Sequence, residues 1–163
     1  KDTTMAKKGN GEADKLDAIV RELKKAYNME LETVMNYVAN SIHLDGVRAE
    51  QIRNALAADV TEELGHAQQL AQRIKTLDSG IPGSFELKME QKSLQPPKDQ
   101  TDVISVIKGV IEAEEGAIAQ YRKLIELTDG VDYVTQDLCI TLMGDEEEHR
   151  RQFKGYLKEY EKK

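Results

Sequence analysis

The sequence predicts an all-α protein, a four-helix bundle built from two similar helical hairpins joined by a long crossover. Apolar residues recur at spacings of three and four in four long stretches, and no strand-like alternation appears anywhere. A Gly- and Pro-bearing stretch, 78–101, separates those stretches two and two. The halves also repeat. Glu30 and Glu114, Tyr37 and Tyr121, and the breaks Asp45-Gly46 and Asp129-Gly130 are each offset by 84 positions, while Glu63/Glu146 and His66/His149 are offset by 83.

Residues 1–13 are polar, carry Gly9 and Gly11 and lack periodicity, so they read as a flexible N-terminal arm ahead of a single domain, 14–163. The arm's Lys1, Lys7 and Lys8 are three charges on a solvated tail, too few to make DNA the expected partner. The first helix is expected from about Asp14, with Leu16, Ile19, Leu23, Tyr27, Glu30, Val34, Tyr37, Ser41 and Leu44 facing inward before Asp45-Gly46 ends it. The second runs from Val47 to about Leu77 on the stripe Ile52, Leu56, Val60, Glu63, Ala67, Leu70, Ile74, with His66 at its edge.

Ser79-Gly80, Pro82-Gly83 and Pro96-Pro97 forbid continued helix through 78–101, apart from a short turn expected over Phe85–Lys92. Links between bundle helices are commonly about two to eight residues, so one this long is expected to traverse the bundle. Thr101-Asp102 offers an N-cap to the third helix, whose stripe is Val103, Ile107, Val110, Glu114, Ala117, Tyr121 and Leu124. The fourth spans about Tyr133 to Tyr160, with Leu138, Leu142, Glu146, His149, Phe153, Tyr156 and Tyr160 on one face.

Formal charge is −7, which argues against nucleic acid or an anionic membrane surface as the main partner and favours cations. The lone Cys139 excludes an intrachain disulfide, and no apolar run reaches the length of a membrane span, so a cytoplasmic protein is expected.

Within each hairpin the first glutamate precedes the turn by nearly the distance at which the Glu-x-x-His pair follows it. Glu30, Glu63, His66, Glu114, Glu146 and His149 should therefore converge at one height of the bundle. A single Glu-x-x-His on an acidic helix is ordinarily a solvated face; two, both inward and in register, are not. Four carboxylates in a dry core repel one another and lose hydration, at several kcal/mol each if left ionised and unpaired. Two divalent cations would offset four negative charges and leave one imidazole for each metal. The mixed oxygen and nitrogen set suits iron, with manganese or zinc as alternatives, and iron's oxidation from Fe(II) to Fe(III) points to redox chemistry.

Each imidazole also needs its outer ring nitrogen held, and Glu62 and Asp145, one residue before the helix-borne glutamates, are the candidates, each reaching to the histidine of the opposite half. Tyr37 and Tyr121 lie two turns from Glu30 and Glu114 and are placed to bond a carboxylate or donate an electron; a buried tyrosine with a satisfied hydroxyl is the ordinary alternative. His43 is expected to be exposed, Met29, Met35 and Met143 to fill core, and Gly65 and Gly116 to permit close helix approach or simply to weaken the helices locally.

Glu114-Glu115-Gly116-Ala117-Ile118-Ala119-Gln120-Tyr121, Asp145-Glu146-Glu147-Glu148-His149 and Glu63-Leu64-Gly65-His66-Ala67 resemble segments of the ferritin-like superfamily, closest to bacterioferritin and the bacterioferritin-related Dps-like proteins, over about 27–153. The resemblance implies a ferritin-like bundle and ferroxidase activity, in which two Fe(II) held by the six residues are oxidised by dioxygen or hydrogen peroxide and ferric mineral is stored in a protein shell. It leaves open whether Glu63 and Glu146, or Glu30 and Glu114, bridge the metals. Bacterioferritin takes a haem ligand from a Met where this chain has Leu64, so haem is not expected; the cysteine pair of some Dps-like relatives aligns with Gly116 and Gln136, so thiol chemistry is not expected either. Only 14 residues follow His149, which leaves no room for the fifth helix of 24-subunit cages and favours a dodecameric shell or a dimer. The alternatives are a dinuclear peroxidase or catalase that never mineralises, and a metal-stabilised structural or DNA-protecting shell.

Overall fold

In the computed structural model, which describes residues 3–162 and side chains from residue 11, the chain forms helices α1 (Thr3–His43), α2 (Glu50–Thr76), α3 (Val103–Thr128) and α4 (Tyr133–Tyr160). Helices α1 and α2 pack as one hairpin and α3 and α4 as the other, and α1 against α3 joins them. Both hairpins turn on an Asp-Gly pair, and Gly46 (φ 91°) and Gly130 (φ 67°) adopt the left-handed backbone that a side chain disfavours. Asp102 and Asp132 cap α3 and α4, accepting from the backbone N–H of Ser105 at 3.0 Å and of Thr135 at 3.1 Å. Arg73 of α2 fixes the second cap, donating to Asp132 at 2.8 Å and to Thr135 Oγ1 at 2.8 Å.

Helix α1 begins earlier than the Asp14 start expected: the backbone is helical from Thr3. Residues 11–17 are exposed on every side, so this extension follows from helix propagation off a packed turn rather than from burial. Lys1 lies outside the described residues, as do the side chains of Lys7 and Lys8. The packed bundle starts at Ile19; Leu16, expected inside, is 38% exposed.

The apolar interior falls into two clusters. One, towards the α1–α2 turn, gathers Tyr37, Leu44, Ile52, Leu56, Val110 and Phe153. The other gathers Ile19, Leu23, Leu70, Ile74, Tyr121 and Leu142. Between them lies the level of the inward carboxylates. Cys139 belongs to the second cluster, and burial pushes its thiol up to about 12, so it packs as an apolar group.

The crossover holds one 3-10 turn, Ser84–Glu86, in place of the helical turn expected over Phe85–Lys92. Its backbone is claimed instead by a polar row on α1. Asn28 receives Lys88 N–H at 2.6 Å, Glu32 receives Gln91 N–H at 2.6 Å, and Asn40 donates to Leu94 O at 2.8 Å. Leu94 plugs the first apolar cluster with no exposed surface. The chain passes so close to α3 that a Cβ on Gly109 would stand 2.3 Å from Ser93 O. His43, expected to be exposed, is half-buried with Nε2 2.7 Å from Pro97 O, and Met35, expected in the core, is 54% exposed.

Candidate metal centre

All six inward groups meet. Glu30 (α1), Glu63 and His66 (α2), Glu114 (α3), Glu146 and His149 (α4) are each no more than 5% exposed. His66, expected at the edge of its stripe, lies inside because α4 covers it. The two imidazoles stack with ring centroids 6.3 Å apart, and both direct Nδ1 between the carboxylates of Glu63 and Glu146. Nδ1 of His66 is 2.9 Å from Glu146 and 3.7 Å from Glu63. Nδ1 of His149 is 3.1 Å from Glu63 and 3.4 Å from Glu146.

The atoms form two overlapping sets. Glu30, Glu63, His66 and Glu146 make one; Glu63, Glu114, Glu146 and His149 make the other, and each set has its ligand atoms within 4.8 Å of one another. Glu63 and Glu146 are common to both.

The outer ring nitrogens each face an acidic side chain. Nε2 of His66 is 3.3 Å from Asp145 and Nε2 of His149 is 3.2 Å from Glu62, so each imidazole is oriented by a carboxylate of the opposite hairpin. Tyr37 donates its phenol to Glu114, and Tyr121 donates to Glu30. The tyrosines serve carboxylates across the bundle, not those on their own helices.

The electrostatics are those of a centre crowded with negative charge. Burial, then the charges of Glu146 and Glu63, pushes Glu30 well above the usual carboxylate range, and burial with Glu146 does the same to Glu114. Burial also acts upward on Glu146, but the imidazoles of His149 and His66 beside it outweigh it and hold that carboxyl at about 2. The imidazoles lose hydration too, yet their glutamate partners raise His66 to about 10 and His149 to about 12. Burial, followed by the nearby carboxylates, raises both phenols well above 10, so Tyr37 and Tyr121 remain donors.

Even so, four atoms here are buried without a hydrogen-bond partner: both oxygens of Glu63, Oε2 of Glu146 and Nδ1 of His149. Unpaired buried polar atoms are costly, and these point at the overlap of the two sets. A donor set of carboxylate oxygens and two imidazole nitrogens that lose a proton on coordination fits two divalent transition-metal ions.

Sequence reasoning missed Asp59. It lies one helical turn before Glu63, grouped with Glu62 and His149, and its Oδ2 is buried and unpartnered; burial, opposed by His149, raises it to about 6. The i−4 spacing to Glu63 was its only signal.

Fold and site together define a helical bundle that carries a buried carboxylate and histidine cluster at mid-height. The chain belongs to the ferritin-like domain family, which it matches over residues 20–163. It is 26% identical over 145 residues to a "DNA protection during starvation protein" of Pyrococcus furiosus, covering 87% of this chain and 78% of that one. Among solved structures it resembles a ferritin-like, diiron-carboxylate protein of Bacillus anthracis (TM-score 0.75, 20% identity, 88% of this chain and 97% of that one). It also resembles a Dps protein of Vibrio cholerae O1 (TM-score 0.78, 17% identity, 88% and 91%), likenesses that establish the fold.

Proposed function

We propose that the protein is a ferroxidase: it binds two Fe(II) as substrate at the six-residue centre and passes one electron from each to dioxygen or hydrogen peroxide, for iron storage and protection from oxidants. The observation that carries this is the sharing of Glu63 and Glu146 by two four-atom sets, with both Glu63 oxygens, Glu146 Oε2 and His149 Nδ1 left without partners. Four carboxylates match the charge of two dications, and Glu63 and Glu146, each with two oxygens, are the residues able to touch both ions. Glu30 and Glu114 cap the two ends. His66 and His149 supply one nitrogen to each ion, oriented by Asp145 and Glu62. With peroxide as acceptor, two electrons and two protons cleave the O–O bond and the oxygens leave as water, so no residue need be consumed.

Iron is the metal of this reading because the same shell must accept a change of oxidation state; manganese or zinc in the same residues would make it a peroxidase or a structural site. No helix among the described residues is long and apolar enough to cross a membrane. Met35, Val38 and Ile42 form an exposed apolar row on α1, beside which a homo-oligomer, dimer or dodecameric shell, would bury surface. Haem and DNA have no part in the proposal.

Anaerobic Co(II) titration followed in the visible range, then Fe(II) oxidation followed in the near ultraviolet with hydrogen peroxide or air, tests the reading. Two Co(II) per chain and rapid oxidation of two Fe(II) are expected. One Co(II), or oxidation no faster than in buffer, overturns it.

A further inference from the structure

The internal repeat holds around the centre and fails at one residue. Offsets of 83 or 84 carry Glu30, Glu63 and His66 onto Glu114, Glu146 and His149, and Glu62 onto Asp145. Asp59, one helical turn before Glu63, is carried onto Leu142, which has no exposed surface and belongs to the apolar cluster of Leu70 and Tyr121. One acidic side chain therefore stands beside the centre without a counterpart in the other half.

Asp59 sits on the His149 side. Its carboxylate, that of Glu62 and the His149 ring each offer an atom within 4.8 Å of the others, while His66 is grouped with Glu62 and Asp145. Glu62 belongs to both groups and does not distinguish them. Asp145 and Glu62 are 42% and 49% exposed, so water screens both charges. Asp59 Oδ2 is buried and has no hydrogen-bond partner, so the charge of Asp59 is screened less and acts more strongly on its surroundings.

Resting on the two-metal reading, we infer that Asp59 makes the two metal positions unequal: the one served by Glu114 and His149 binds its ion more tightly, and fills before, the one served by Glu30 and His66. Asp59 is a positioning residue that acts through His149. An imidazole that gives Nδ1 to a dication becomes more positive across its ring, and the carboxylates beside that ring, Glu62 and Asp59, stabilise it. Leu142, the counterpart in the other half, offers the His66 imidazole no such charge. The pair of Fe(II) therefore assembles in a fixed order, His149 side first.

The test is anaerobic Co(II) titration of the metal-free full chain, followed in the visible range against a chelator of known affinity and buffered above about 6, where Asp59 is ionised. Two variants isolate the positions: Glu30→Ala keeps the set Glu63, Glu114, Glu146 and His149, and Glu114→Ala keeps the set Glu30, Glu63, His66 and Glu146. Glu30→Ala should bind its Co(II) about tenfold more tightly than Glu114→Ala binds its own. Adding Asp59→Asn should weaken the first about tenfold and leave the second within about twofold. A general loosening of the fold would weaken both alike. Equal affinities of the two isolated positions, equal weakening in both backgrounds, or no change in either therefore overturns the inference. Should Asp59→Asn fail to fold, Asp59→Leu, which gives this half the residue carried by the other, is titrated in its place with the same outcomes. One Co(II) per unsubstituted chain overturns the two-metal reading and this inference with it. Two unequal Co(II) positions without Fe(II) oxidation support the inference and overturn the ferroxidase reading alone.

Discussion

Tyr121 on α3 donates its phenol to Glu30 on α1, and the pair is repeated in reverse by Tyr37 and Glu114, so each hairpin supplies the hydrogen-bond donor for the other's carboxylate. The two halves are thereby stitched together at the level of the centre. Both tyrosines have at most 1% exposure, and removing one phenol leaves a buried carboxyl without its partner. Tyr121→Phe keeps the ring and is expected to destabilise the protein by about 1–3 kcal/mol, read from the urea midpoint. An unchanged midpoint would mean that the contact holds nothing.

Shared and unshared carboxylates should fail differently. Glu146→Ala removes an oxygen donor from both four-atom sets and is expected to abolish Co(II) binding, while Glu30→Ala removes a donor from one set and should leave about one Co(II) per chain. Both should fold: burial holds the Glu30 carboxyl protonated, and loss of Glu146 leaves Glu63 beside both imidazoles. Equal losses in the two variants would remove the distinction between bridging and capping residues.

The metal-free protein should lose stability as pH rises. His66 and His149 have folded values of about 10 and 12, above the ordinary 6.5, so the folded chain holds protons that the unfolded chain has released. Their contribution is complete below about 6.5 and is lost progressively from there, through about 10 for His66 and about 12 for His149. Glu30 and Glu114, raised by burial, act in the same direction above the usual carboxylate range. The apo Tm is expected to fall between pH 6.5 and 10, and Co(II) binding near pH 7 should release protons, seen as a calorimetric enthalpy that varies with buffer ionisation. A flat apo Tm profile would contradict the electrostatics described.

Two glycines should respond oppositely to alanine. Gly109 faces Ser93 O at a distance no Cβ tolerates, so Gly109→Ala must displace the crossover and is expected to cost about 1–3 kcal/mol despite the better helix former. Gly155 on α4 is exposed with nothing within 4 Å, so Gly155→Ala should stabilise by about 0.5–1 kcal/mol. Thermal melts of the two variants compare them directly.

By itself the sequence determined the four helices, the Asp-Gly turns and the six converging groups. Helical period and hairpin arithmetic are local properties, and an inward glutamate repeated at a fixed offset is visible without coordinates. It also identified Glu62 and Asp145, since a residue adjacent to an inward ligand must lie near the rim of the same face. Only the tertiary structure decided which carboxylates are shared, that Tyr37 serves Glu114 rather than Glu30, and that Asp59 joins the rim. The polar row Asn28, Glu32, Asn36 and Asn40 reads as a solvated face, yet it holds a crossover 54–60 residues away in the chain. Such partners are joined by hydrogen bonds across long separations, and a hydrogen bond's donor and acceptor leave no periodic mark by which a sequence could pair them.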